Sequence, residues 1–408
     1  MTDSSLRVPN VRSPGTPVCH PNDDYQLPDA EAATPRRKLQ FSANAASEYI
    51  ELHAASAFSF LEGASQPDTL IERAVALEMP AMALADRNGL YGVARFHAAA
   101  KRNGIKAHIG AEIAVSSLGR RLTPSAWLPH QCPQEPPRIV LLCTSQAGYQ
   151  NLSQLITRFK MRETTKSEGA ATLDDLEEFS AGLICLTGGE EGPPAAALAS
   201  GGEREARAVL DRLASIYGRS NLYLELQRHQ QREEECRNQS LLGLAASLGL
   251  PVIAANGVRH ASGKDRELLD VFTCIRHHTT LDCAGRLLAR NNARMLRSAQ
   301  RMAALFRDIP EAIANTRIVS ERLEFTLNNL GYEFPHYPVP ESETMDSFLA
   351  KRVEEGVLKR YGTGEKRKLL DQARAQVKRE LALIRQLGFA GYFLIVWDFI
   401  DWARRQGI

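Results

Sequence analysis

With 408 residues, 44% of them hydrophobic and 24% charged, the chain has the composition of a globular protein long enough for two or three domains. Its net charge of +2 excludes a global electrostatic case for nucleic acid, and it has no apolar run long enough to span a membrane. The seven cysteines are scattered and form no Cys-x-x-Cys, which excludes a zinc or disulfide framework and suits a reducing, cytoplasmic setting.

Residues 1–47 read as a disordered leader. The stretch is rich in Pro, Ser, Thr and Asp and lacks the apolar core of a signal peptide. From 48 to 262, short β-rich runs alternate with helical patterns. The strands are expected at Tyr49–His53, Ala81–Ala85, Ala107–Val115, Ile139–Thr144, Leu183–Thr187, Leu222–Gln227 and Val252–Ala255. Helical patterns such as 67–77, 92–103, 148–159, 203–217 and 233–248 lie between them. Such alternation argues for parallel strands joined by helical crossovers, and seven units fit a β/α barrel better than the alternative, an open sheet.

A barrel collects the polar residues that follow its strands on one face. Here these are His53, Asp86 with Arg87, Glu112, Thr144, Gly188 with Glu190, His229, and Asn256 to Arg259. Acids and histidines at a barrel mouth suit metal-dependent hydrolysis, but arginines among them oppose a divalent cation. A metal-binding strand end also favours a second imidazole two residues after His53, on the same face, and that position is Ala55. Cys143 and Cys185, inside apolar strands, read as core.

Beyond 262 the pattern turns helical, at 265–275, 293–306, 345–361 and 369–387, with a Pro-rich extended loop from Gly331 to Thr344. The segment from Tyr392 to Ile400 is apolar nearly all round and expects burial on most sides. Basic residues outnumber acids between Lys359 and Arg405. Lys366, Arg367, Lys368, Lys378 and Arg379 are candidate contacts to a DNA backbone, against the plain reading of a solvated helix face.

Several segments in this order resemble the amino-terminal portion of bacterial C-family DNA polymerases, alpha-type subunits, and among them the error-prone, damage-tolerant branch. They are ELHAASAFSFLEGAS (51–65), ALADRNGLYGVARFHAAAKRNGIKAHIGAEI (83–113), LLCTSQAGYQNLSQLI (141–156), LYLELQRH (222–229), DVFTCIRHHTTLDCAGR (270–286), YEFPHYPVPESETMDSFL (332–349) and GFAGYFLIVWDFI (388–400). The resemblance implies a distorted seven-stranded PHP-type (polymerase and histidinol phosphatase) barrel over 48–262. It implies a mostly helical start of the polymerase palm over 263–408. In metal-loaded relatives the barrel holds a cluster of divalent cations and acts as a proofreading nuclease.

Carried over residue by residue, the cluster is depleted. His53, Glu62, Asp86, Glu112 and His229 match ligand positions, while Ala55, Arg87, Gly257 and Arg259 stand where ligands are lost. A divalent cation takes about four to six donor atoms. A guanidinium about 5 Å away opposes it by roughly 6–7 kcal/mol at an effective dielectric of about 20. The expectation is a barrel without metal, in which Arg87 and Arg259 replace the cations by pairing with Glu62, Glu112 or Asp86.

The family's Gly-Arg-Gly-Ser loop and Asp-x-Asp pair follow the Gly-Tyr-Phe-Leu-Ile-Val helix, and the chain ends before both. It is therefore expected to be a truncated piece that does not polymerise DNA by itself. Mg²⁺, DNA and dNTP are implied for the full-length enzyme in translesion synthesis and DNA repair, together with other proteins of a translesion polymerase complex. The alternatives are a stand-alone PHP phosphoesterase or nuclease, which the ligand losses oppose, and a non-catalytic module that docks polymerase partners.

Overall fold

The computed structural model describes residues 49–116, 136–162, 169–328, 330 and 336–408. The leader expected over 1–47 and part of the 331–344 loop lie outside the described residues. Among the described residues six strands form one sheet in chain order: β1 Ala81–Arg87, β2 Lys106–Ala114, β3 Arg138–Cys143, β4 Leu183–Leu186, β5 Leu222–Leu226 and β6 Val252–Ala254. The expected seventh, Tyr49–His53, is not a regular strand. It touches β1 through the Glu51–Met82 bridge and the chain beyond β6 through the Ala54–Val258 bridge. On the β1 side the amide of Ala83 donates to Glu51 O; on the β6 side Ala55 N donates to Val258 O and Val258 N to His53 O. The segment thus spans the two edges of the curled sheet.

One strand runs the other way. β1–β2, β4–β5 and β5–β6 are parallel, but β3 is antiparallel to both β2 and β4. The expectation of parallel strands throughout is corrected here, and the reason is visible in the sequence between β2 and β3. A parallel pair usually takes a helical crossover, and residues 116–137, with Pro124, Pro129, Pro133, Pro136 and Pro137, disfavour one. The consequence is functional. Reversal places the start of β3, Arg138, at the end where the other strands finish. Thr144 goes to the opposite end, bonded to Gly182 O ahead of β4.

Side chains alternate as strand geometry requires. One set (Ala81, Ala83, Ala85, Val140, Leu142, Ile184, Leu186, Tyr223, Ile253) packs into the barrel with Ile50 and Leu52. The other set, including Met82, Leu84, Ile109, Ile113, Leu141, Leu222 and Leu224, packs under helices such as Pro67–Ala76, Val93–Asn103 and Gln146–Arg162. Cys143 and Cys185 are buried in this outer layer, and burial pushes both thiols up.

Barrel packing continues past residue 262. Val319 and Leu323, at the end of the helix Pro310–Arg322, complete the inner apolar cluster. That helix closes the bottom of the barrel: Thr316 Oγ1 accepts from Ile50 N at 3.1 Å, and Asn315 Nδ2 donates to Val252 O at 2.7 Å. His108 Nε2 meets Ser320 Oγ at 2.6 Å. The helix expected over 293–306 is shorter, Ala299–Leu305. Residues 294–296 instead run beside 259–260, with Arg259 N donating to Arg294 O and Leu296 N to His260 O.

The helices Met345–Tyr361, Leu370–Leu387 and Ala390–Arg405 share a small core of Leu349, Ala390 and Leu394. The burial expected for 392–400 is confined to Leu394. Among the described residues Tyr392, Phe393, Phe399 and Ile400 stay exposed, because the helix meets its neighbours along one side only. No single helix among the described residues is long and apolar enough to cross a membrane.

Candidate functional site at the barrel mouth

Parity decides which strand-end residues enter the mouth. Arg87 shares its face with Ala81, Ala83 and Ala85, Arg138 with Val140 and Leu142, and Glu225 with Tyr223, so all three point inward. Glu112 alternates with the outward-packed Ile109, Ala111 and Ile113 and also points inward. Asp86 has the opposite parity. Its carboxylate leaves the mouth and is held by Ser56 N at 2.7 Å and by the Ser56 and Ser59 hydroxyls at 2.9 Å. Burial raises its pKa against these hydrogen bonds.

The centre of the mouth is a lattice of arginines and glutamates. Glu62 pairs with Arg87, with Arg138 at 2.7 Å and with Arg276 at 2.9 Å. Arg259 takes Glu112 in a two-point grip at 3.1 and 3.2 Å and reaches Glu191 at 2.9 Å. Arg294 completes the set on Glu191 at 3.3 Å. Arg87 and Arg259, the two arginines expected to replace cations, therefore bind Glu62 and Glu112, and Asp86 is held by Ser56 and Ser59 instead.

His53 lies between two carboxylates, Nδ1 at 2.7 Å from Glu225 and Nε2 at 3.3 Å from Glu112. Burial opposes a charged imidazole, but Glu225 and Glu112 outweigh it and push His53 up to about 10. Two carboxylates on its ring nitrogens favour the imidazolium, which has no lone pair to offer a metal. Burial likewise opposes the Glu112 carboxylate, yet Arg259, His53 and Arg138 hold it well below the usual range.

The remaining candidates are separated from this centre. His229 turns to Glu234, Nδ1 to Oε1 at 2.8 Å, and to Asn256 O at 2.8 Å, so both ring nitrogens are engaged outside the lattice. Ala55 is fully buried. Gly257 adopts φ +55°, and a Cβ there would stand 2.7 Å from Gln227 Nε2. Gln227 fills the space that a longer side chain at 257 would need. Each oxygen of Glu62 and Glu112 faces a guanidinium or imidazolium, so the donor set does not fit a divalent cluster.

Sequence reasoning missed Arg138, Glu191, Glu225, Arg276 and Arg294, and named Glu190, which is exposed, instead of its neighbour. A lone charge in an otherwise apolar strand was the available signal for two of them, in RIVLLC and LYLEL. The basic residues downstream are apart from the mouth. Lys366, Arg367 and Lys368 lie exposed in the turn Gly364–Leu369, and Lys378 and Arg379 are exposed on the helix Leu370–Leu387. Arg379 donates to Gln376 at 2.6 Å, while Lys378 lines a groove of about 540 Å³ with Asp346, Glu354, Arg374 and Arg385.

Residues 51–229 match the PHP domain family, and residues 347–408 match the bacterial DNA polymerase III alpha NTPase domain. The chain is 33% identical over 396 residues to the error-prone DNA polymerase of Mycolicibacterium paratuberculosis, covering 97% of this chain and 34% of that protein. It is 37% identical over 364 residues to the error-prone DNA polymerase of Pseudomonas savastanoi pv. phaseolicola, covering 89% of this chain and 32% of that protein. To the namesake from Mycobacterium bovis it is 34% identical over 361 residues, 88% of this chain and 32% of the other. A solved amidohydrolase from Chromobacterium violaceum is a distant neighbour, 16% identical with a TM-score of 0.34 over 53% of this chain and 89% of that one. The chain spans about a third of the length of the curated relatives it matches. It carries a PHP domain followed by a match to the bacterial DNA polymerase III alpha domain, and over most of its length it is similar to error-prone DNA polymerases.

Proposed function

We propose that the chain is the PHP and early palm portion of an error-prone DNA-directed DNA polymerase, and that its barrel is a metal-free scaffold. The whole enzyme would work in the cytoplasm in damage-induced translesion synthesis and DNA repair, on DNA and dNTP with Mg²⁺, alongside other translesion proteins. The relatives support the polymerase reading. One observation carries the scaffold reading: the carboxylates of Glu62 and Glu112 are saturated by Arg87, Arg138, Arg259, Arg276 and His53. Fixed cations of the protein neutralise the acids, so no attacking water is generated by a metal.

Metal analysis of the purified chain after incubation with Mn²⁺ or Zn²⁺ is expected to find far less than one ion per chain, with no hydrolysis of a phosphodiester. Stoichiometric Mn, Zn or Fe would overturn the scaffold reading. Primer extension past a damaged template base by the longer polymerase tests the enzyme reading separately.

Within this reading Lys366, Arg367, Lys368, Lys378 and Arg379 are proposed to contact DNA phosphates, supported by their exposure on one short stretch of chain. Replacing the three at 366–368 by alanine should weaken binding to all sequences alike. The slope of log affinity against log salt should fall by about one for each phosphate that the variant no longer neutralises. An unchanged slope would remove these residues from the interface.

A further inference from the structure

We propose that the carboxylates of the barrel mouth now serve as a seat for the chain that follows the barrel, with Arg276 and Arg294 as its positioning residues. Both arginines lie beyond β6. Arg276 ends the helix Arg266–Arg276, and Arg294 belongs to the extended segment before Ala299–Leu305. Each delivers a guanidinium to an acid of the mouth, Arg276 to Glu62 at 2.9 Å and Arg294 to Glu191 at 3.3 Å.

The seat has a physical logic. Glu62 is 6% exposed, and its charge requires partners that water cannot replace. Arg87 and Arg138 come from the barrel; Arg276 adds a cation from the downstream chain to the same carboxylate. Glu191 repeats the arrangement, with Arg259 from the barrel side and Arg294 from downstream. A carboxylate shared between the two parts of the chain ties them where a cation held only by barrel residues would not. Further hydrogen bonds align the downstream chain: Asn256 Nδ2 donates to Ala293 O at 2.8 Å and to Met295 O at 2.7 Å, and Ser65 Oγ donates to the Asp265 carboxylate at 3.1 Å. These contacts fix position; the half-buried ion pairs of Arg276 and Arg294 resist its opening. The inference rests on a metal-free mouth and is independent of whether the longer protein polymerises DNA.

Limited trypsin digestion of the full 408-residue chain tests it. In the Arg276→Gln/Arg294→Gln variant, cleavage at the intervening Arg286 and Arg290 is expected to quicken about tenfold through local opening, with far-UV circular dichroism unchanged. Glu62→Gln, compared with and without Arg276→Gln, should show non-additive cleavage rates, since the two side chains act as a pair. Glu354→Gln, which breaks a surface pair with Arg374, should leave these sites as protected as before. Unchanged protection in the double variant, or additive rates for Glu62 and Arg276, would overturn the seat. So would opening of the segment by a chelator alone, because a metal would then be holding it. Metal content is measured on the same samples, so a loaded mouth is distinguished from a seat that fails.

Discussion

Replacing Arg259 by leucine is expected to destabilise the barrel by roughly 3–5 kcal/mol, the cost of taking the two-point grip from a buried carboxylate that His53 and Arg138 approach only to 3.3 and 3.5 Å. Arg259 is 5% exposed and grips both oxygens of Glu112, which is itself 1% exposed. Arg138 stands 3.5 Å from Glu112 and cannot supply a second grip while it holds Glu62 at 2.7 Å. Arg259→Lys should recover little, because one ammonium cannot repeat the planar two-point contact. Arg87→Leu should cost less, about 1 kcal/mol, since Glu62 keeps Arg138 and Arg276. Denaturant unfolding followed by circular dichroism measures all three, with an unchanged m-value confirming that the native state is the one affected. Equal stability of Arg259→Leu and wild type would mean that Glu112 is simply protonated in the variant at little cost, and the lattice would then be decoration on an apolar barrel.

Much of this architecture was legible in period-2 strands and intervening helices, and Ala55, Arg87, Gly257 and Arg259 could be singled out one residue at a time. Direction was not. The reversal of β3 leaves an apolar strand apolar, so RIVLLC reads alike in either sense, and Arg138 looks like a residue before a strand until antiparallel pairing brings it to the mouth. Parity was legible but unused: Asp86 and Arg87 are neighbours in sequence and point to opposite faces of one strand. Glu225 was hidden differently. A carboxylate inside LYLEL is costly to bury unless a cation meets it, and its cation, His53, lies far away in the chain. Arg276 directly follows a segment that reads as helix and Arg294 sits in another, where a basic residue is most simply solvated, and only tertiary packing turns them toward Glu62 and Glu191.

Barrel stability is expected to fall in two steps from mildly acidic to alkaline pH, and the two steps belong to residues two positions apart. Glu51 is buried, accepts from Tyr49 Oη at 2.6 Å and from His53 N at 3.0 Å, and is raised by burial to about 7. A raised carboxyl contributes stability that is fully present below its ordinary value of 4.5 and lost as pH climbs through 7. His53, at about 10 in the fold against an ordinary 6.5, contributes stability that is whole below 6.5 and lost as pH climbs through 10. Each step is on the order of a few kcal/mol, because a tenfold change in proton affinity is worth about 1.4 kcal/mol. On the acid side the sign reverses. Glu112 is held low by Arg259, His53 and Arg138 against the effect of burial, so its contribution is present above 4.5 and lost as pH falls. The optimum should therefore lie in the mildly acidic range. Thermal melts across pH in wild type, Glu51→Gln and His53→Gln separate the contributions: the first variant should lose the lower step and the second the upper. Between pH 7, where the Glu51 step ends, and pH 9, where the raised thiols of Cys143 and Cys185 begin to count, a His53→Gln profile as steep as wild type would place the proton elsewhere and remove the imidazolium from the lattice.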